Sequence, residues 1–331
     1  MKDAFLYCFI LLFFVMSGCK EDGPDDLLLP DEPVNKVTSE EFIDDLLFVN
    51  KNNFKINTNN PAQFFSNNPL IQIFSDGTVS RLTSGEVVPI EITWTDQPGV
   101  KTTIYALGAT DTNHDEPYAS FHGALATDPY NSYILGWKTF RKLPVDDQTF
   151  AIILRHADAD DGKDFTVNTG PANWWKSCDR NQARQLNDRG KRRAVELGKV
   201  FKDLNLPVIR VISSEFCRSV STAELMNLGP MIKQDGRVNH PEYNISGKSL
   251  FKGMLDIMNE QPVDNKMTMI VTHHPINETG SQGYPSFPAV SPFTWTGGYL
   301  ISVSADKIIT YQGAVSYSMM EYYRNLKLKR L

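Results

Sequence analysis

Four cysteines, six histidines and one long apolar run are thin material for a chain of 331 residues, and each scarcity excludes something. The histidines show no paired ligand spacing, so the sequence carries no metal-site signature. His114 and His122, in Asn113-His114-Asp115 and Phe121-His122-Gly123, read as structural or surface residues. Basic residues are outnumbered: 33 Lys and Arg against 39 Asp and Glu give a net charge of −6. That balance excludes the broad cationic face of non-specific nucleic-acid binding, while leaving room for one locally basic pocket. No internal repeat is present. Gly247-Lys248-Ser249 lacks the glycine a phosphate-binding P-loop needs five residues earlier, where Glu242 stands. The apolar run Ala4 to Met16 is shorter than the ~20 residues of a spanning helix.

What the N-terminus does have is the three-part pattern of an export signal: Lys2, the apolar run, then Ser17-Gly18-Cys19. Val15-Met16-Ser17-Gly18-Cys19 resembles a bacterial lipobox. Residues 1–18 are therefore expected to be a lipoprotein signal peptide, with Cys19 carrying the lipid. A plain secretory signal is the alternative. Residues 19–37, rich in Asp, Pro and Glu, read as a solvated tether. The expected location is exported, periplasmic or cell-surface, with a membrane as partner through lipid on Cys19. Cys8 leaves with the signal, so Cys178 and Cys217 remain as a tentative disulfide in an oxidising compartment, two separate thiols being the alternative.

Residues 38–145 read as a small α+β module without a catalytic motif. Thr38-Ser39-Glu40-Glu41 offers a capping box for a short helix bearing Phe42, Leu46, Leu47 and Val49. Strands are expected at 70–74, 79–82, 87–94 and 102–107, the first two joined by Ser75-Asp76-Gly77. From 146 to 331 the rhythm becomes strand–helix–strand. Buried strands are expected at 150–154, 208–212 and 267–271. Helices are expected from Asn187 or Asp188, from Arg218, and around Leu250–Met258, and a closing hairpin spans 298–312. This predicts an α/β fold, a mostly parallel sheet with helices on both faces. The Trp174-Trp175 pair and the loop from Gly280 to Trp295 read as aromatic rims packed on the domain surface.

In open α/β sheets ligands bind beyond the carboxyl ends of the strands. The first buried strand ends in Arg155-His156. The second ends in Ser213-Ser214, with Cys217-Arg218 opening a helix, and the third ends in Thr272-His273-His274. Two arginines and two histidines at strand exits suit a phosphate. Phosphoryl transfer needs an in-line nucleophile and positive charge around the equatorial oxygens. A neutral imidazole supplies the first and the planar arginine fork the second.

Leu154-Arg155-His156-Ala157, Leu186-Asn187-Asp188-Arg189-Gly190, Ser213 to Arg218 with Thr222-Ala223-Glu224, and Val271-Thr272-His273 together resemble the histidine phosphatase superfamily, with its phosphoglycerate mutase-like fold. The resemblance covers roughly residues 148–312. It implies a metal-independent phosphomonoesterase without a cofactor, acting on a small phosphorylated substrate. His156 would be the phosphorylated nucleophile, and Arg155, Arg218 and His273 would bind the phosphate. Ala157 stands where the family usually has glycine, which implies an altered loop. The general acid stays open among Glu242, His274 and Asp158. Two other readings stay open as well: a mutase, and a lipid-anchored phosphate-binding module without turnover.

Overall fold

The computed structural model describes residues 35–110, 129–144, 148–166, 168–240, 243, 250–273 and 294–331. Cys19, Glu242, His274, His114 and His122 therefore lie outside the described residues. Residues 36–331 form one compact unit.

The N-terminal part is built from strands. β1 (Phe42–Ile43), β2 (Leu46–Val49), β4 (Ala62–Phe65), β7 (Val87–Trp94) and β8 (Lys101–Gly108) form one sheet in the order β1-β2-β8-β7-β4. β3 (Phe54–Lys55), β5 (Ile71–Ile73) and β6 (Thr78–Leu82) form a second, ordered β3-β6-β5. The helix expected after Thr38 is instead the hairpin β1–β2. Ile43 pairs with Leu46, and the two linking residues, Asp44 and Asp45, both have positive φ, 50° and 72°. That is the backbone a two-residue turn of right-handed twist demands. Ser39 Oγ, free of any capping duty, accepts from Asn57 N at 2.9 Å. The run Leu46–Val49 is buried throughout because β2 serves two cores. Leu46 and Phe48 join the main core of the chain, while Leu47 and Val49 join the core between the two N-terminal sheets.

α1 (Pro129–Phe140), which no sequence signal singled out, packs on the far edge of a six-stranded sheet. That sheet contains β9 (Thr149–Arg155), β10 (Val208–Ser213), β11 (Ile232–Gln234), β12 (Met267–Thr272), β13 (Gly298–Val303) and β14 (Ile309–Val315). Its order is β11-β10-β12-β9-β13-β14. The first four strands pair in parallel; β13 runs antiparallel to β9, and β14 to β13. The helices are α2 (Asp188–Asp203), α3 (Cys217–Met226), α4 (Leu250–Glu260) and α5 (Tyr317–Lys327). Asn187 caps α2, its side chain accepting from Gly190 N at 2.7 Å. Ser316 caps α5 in the same way.

Register sets the site. Arg155 pairs with Thr272, and Ser213 with Val271, so three parallel strands end within one residue of the same level. Because β13 is antiparallel, its beginning arrives at that same edge, with Gly298 opposite Leu154.

Trp137 of α1 is fully buried, stacked on Tyr322 and edge-on to Tyr323 of α5, in a core shared by β2, β8 and the six-stranded sheet. A continuous core predicts one cooperative unfolding transition rather than two. Trp137→Ala should lower it by about 3–5 kcal/mol, measured by denaturant titration followed by both far-UV circular dichroism and tryptophan fluorescence.

Candidate active site

The register brings Arg155, His156, Arg218 and His273 to one edge of the sheet, and all four are buried. His156 N donates to Thr272 O at 2.7 Å and Ser214 N to Val271 O at 2.9 Å, so the strand exits are tied to one another by main chain. Arg218 Nε lies 3.1 Å from His156 Nε2, and the His156 and His273 rings stand 5.3 Å apart between centroids. His273 Nε2 shares a 2.9 Å hydrogen bond with the Ser214 hydroxyl.

These contacts fix the tautomer of His156. Nδ1 faces the Ala157 carbonyl at 2.8 Å, an acceptor only, so Nδ1 carries the proton. Nε2 faces the Arg218 Nε–H, a donor only, so Nε2 keeps its lone pair. Burial, followed by the charges of Arg218 and Arg155, holds the imidazole pKa well below its usual 6.5. The same burial lowers the Arg218 pKa to about 10, which leaves a full cation at neutral pH.

The supporting contacts explain the motif residues. Ala157 is fully buried. Its carbonyl takes the Nδ1 proton, and its N–H donates to Thr222 Oγ1 at 3.0 Å, while that hydroxyl donates to Arg218 O at 2.7 Å. Thr222 thereby joins the loop after β9 to the helix that carries the second arginine. Asn187 and Gly190 have a further duty at the other side. Asn187 N donates to Asp158 O at 3.1 Å, and a Cβ on Gly190 would strike that carbonyl, so glycine lets the loop rest on the first turn of α2.

Several participants had no sequence signal. Asp164 accepts from Arg218 Nη1 at 3.1 Å and from Arg184 Nε at 3.0 Å. Burial works against its charge, yet Arg218 and Arg184 hold its pKa below the usual carboxylate range. Trp295, expected to pack on the domain surface, instead lies under the Arg155 guanidinium, 3.5 Å from Cζ to ring centroid, and 5.1 Å from the His156 ring. Phe216 lies 4.5 Å from Arg218 Cζ and 4.3 Å from the His273 ring. Trp174 and Trp175 join Phe216, Phe165 and Tyr243 in an aromatic cluster behind it. Cys178 and Cys217 form a disulfide, 5.3 Å between Cα atoms, which ties the long loop after β9 to the residue preceding Arg218. Asp158, a candidate acid in the sequence, has its carboxylate engaged by Arg189 and Arg193 at 3.3 and 3.6 Å. Among the described residues no cluster of metal-ligating side chains occurs.

No protein-family model matches the chain, and neither does any curated protein. Solved structures of histidine phosphatase superfamily members are similar to about half of it. One is the protein histidine phosphatase SixA complexed with tungstate, at 15% identity and TM-score 0.35, covering 51% of this chain and 97% of that one. Others are a phosphoserine phosphatase from Entamoeba histolytica, at 13% identity and TM-score 0.35 (52% and 98% covered), and a phosphoglycerate mutase from Bacillus anthracis, at 13% and 0.35 (54% and 97%). The likeness carries no weight for the chemistry, which rests on the side chains above.

The lowered His156 pKa has a sign in stability. The unfolded imidazole binds its proton near pH 6.5, while the folded one stays neutral to lower pH. The unfolded state thus holds more protons across that window, and stability falls as pH drops below about 6.5. Chemical denaturation between pH 7 and 5 should show this slope, reduced in His156→Ala.

Proposed function

We propose that this chain is a phosphomonoesterase of the histidine phosphatase type, working through a phosphohistidine on His156 Nε2. The observation that carries the reading is the state in which His156 is held: buried, neutral, Nδ1 committed to a carbonyl and Nε2 presenting its lone pair beside Arg218. An imidazole kept for packing has no need of two cations around it.

The steps follow from that state. A phosphate monoester enters with its oxygens between Arg155, Arg218 and His273, and Arg218 Nε turns from Nε2 to a phosphate oxygen. The Nε2 lone pair attacks phosphorus in line with the ester oxygen. The P–N bond forms as the P–O ester bond breaks, and the departing alkoxide takes up a proton from the water that attacks next. Water then attacks the same phosphorus, the P–N bond breaks, and inorganic phosphate leaves with His156 again neutral. The guanidiniums stabilise the charge on the equatorial oxygens in both halves. Arg155 keeps its place through Trp295, and Arg218 keeps its place through Asp164 and Thr222.

Incubated with a generic aryl phosphate and no added metal, the full chain should turn over. His156→Ala should lose on the order of 10⁴-fold or more in kcat, and Arg218→Lys on the order of 10²-fold. Acid-labile, base-stable radiolabel retained on the parent after a quench would mark the phosphoramidate. Phosphate binding without turnover would instead mean a binding module, and movement of phosphate between positions of a sugar acid would mean a mutase.

The same reading places the chain outside the cytoplasm, anchored through lipid on Cys19. Support comes from the lipobox-like sequence and from the Cys178–Cys217 disulfide, a bond of oxidising compartments. Expressed in a Gram-negative host, the parent should incorporate labelled palmitate, and Cys19→Ser should not.

A further inference from the structure

The chemistry above uses β9, α3, β12 and the turn before β13, and gives residues 36–110 no part. One turn of that N-terminal structure nonetheless reaches the site. Between β6 and β7 the chain runs Thr83-Ser84-Gly85-Glu86. Glu86 Oε1 lies 2.9 Å from Arg193 Nη2 of α2, and Arg193 Nη1 lies 3.6 Å from Asp158 Oδ2. Asp158 stands two residues after His156 in the nucleophile loop. The side chains are 14%, 12% and 5% exposed, so this is a shielded chain of alternating charge.

The burial decides which partner of Asp158 matters. Arg189 also reaches it, at 3.3 Å, but that side chain is 60% exposed, and an ion pair so open to water contributes little. Arg193 is the shielded partner; its Nη1 faces Oδ2 as a charge at 3.6 Å, without a hydrogen bond, and its long side chain needs something to hold it. Glu86 holds one end of the guanidinium, and the Tyr317 ring lies 5.1 Å from Cζ. The turn bearing Glu86 is itself fixed. Ser84 Oγ donates to Thr110 O at 2.7 Å, and Val87 N donates to Ser318 Oγ at 2.8 Å. A Cβ on Gly85 would meet Tyr133 Oη at 2.9 Å and Thr294 Oγ1 at 3.3 Å. Thr294 directly precedes Trp295, the ring under Arg155. The turn therefore backs both the nucleophile loop and the platform of the first arginine.

We infer that Glu86 is a positioning residue for the nucleophile loop: by holding Arg193 against Asp158 it fixes residues 156–158, and the N-terminal sheets are a working part of the site. The catalytic half of this inference rests on the phosphatase reading. Misplacement of a reacting group by about 1 Å can cost on the order of 10²-fold in rate.

The test uses the full chain and two readouts. The His156 ring ¹⁵N signals, assigned by their loss in His156→Ala, should shift or broaden in Glu86→Gln. They should stay unmoved in Glu91→Gln, which breaks an exposed pair with Lys101 on the same sheet. In turnover of an aryl phosphate, Glu86→Gln should lower kcat by roughly tenfold to a hundredfold with KM little changed, Glu86→Asp should recover part of the loss, and Glu86→Gln should add nothing once Asp158→Asn is present. If Glu86→Gln does not fold, the Glu86→Met/Arg193→Met pair, which exchanges the ions for side chains of similar volume, gives the same two readouts. Unmoved His156 signals in a folded variant overturn the inference whether or not the parent turns over. Moved signals in a chain that shows no turnover uphold the positioning and strike only the phosphatase reading.

Discussion

Two guanidiniums and an imidazole can share a buried hollow only if the imidazole stays neutral. A third cation beside Arg155 and Arg218 would stand unpaired in a poorly hydrated space, the costliest arrangement a protein interior offers. The Ala157 carbonyl settles the matter by holding the one proton on Nδ1, leaving Nε2 as an acceptor toward Arg218. The same two contacts leave the Nε2 lone pair beside the Arg218 cation, which is what the nucleophilic role proposed for His156 requires. Among the described residues Asp164 supplies the one close counter-charge to Arg218, and it takes a second hold on Arg184.

Holding that arrangement is a matter of short, rigid ties rather than of the sheet alone. The loop after β9 is fixed by Thr272 O and Thr296 N at His156, by Thr222 Oγ1 at Ala157, and by Asn187 N at Asp158. The start of α3 is fixed by the disulfide at Cys217 and by the Lys176–Glu215 pair, both reaching from the long loop before α2. Each tie spans elements far apart in sequence, so the pocket exists only when the whole α/β layer is assembled.

The legible part of the site was the part whose geometry follows from strand registry. Three continuous apolar runs predict three buried parallel strands, and the polar residues just past them must share an edge, so Arg155, His156, Ser214 and His273 could be placed from sequence. Arg218 followed because a helix start after a buried strand points the same way. Trp295, Asp164 and Glu86 were not legible, because they arrive on loops whose paths depend on contacts rather than on period. Trp295 reaches Arg155 only because β13 runs antiparallel to β9, a direction that an apolar run does not encode. The segment from Thr38 failed for a different reason. A capping pattern and apolar spacing compatible with a helix were both present, but Asp44-Asp45 adopts the left-handed turn of a hairpin, and β2 buries both faces against separate cores.

That double burial bears on why the N-terminal strands exist at all. Leu46 and Phe48 of β2 share a core with the six-stranded sheet, and Tyr322 Oη donates to Asp45 O at 2.7 Å. Packing of this kind would be satisfied by apolar contact throughout. At the β6–β7 turn the chain instead spends a shielded carboxylate, Glu86, on an arginine that already has an anion. Desolvating such a group is costly, and an apolar pair of similar volume would often serve stability as well or better. Apolar contact, however, tolerates sliding, whereas the charge-assisted hydrogen bond from Arg193 Nη2 to Glu86 Oε1 sets where that guanidinium stands. A charge held there is therefore better explained by what it orients, the loop two residues past His156, than by what it contributes to folding.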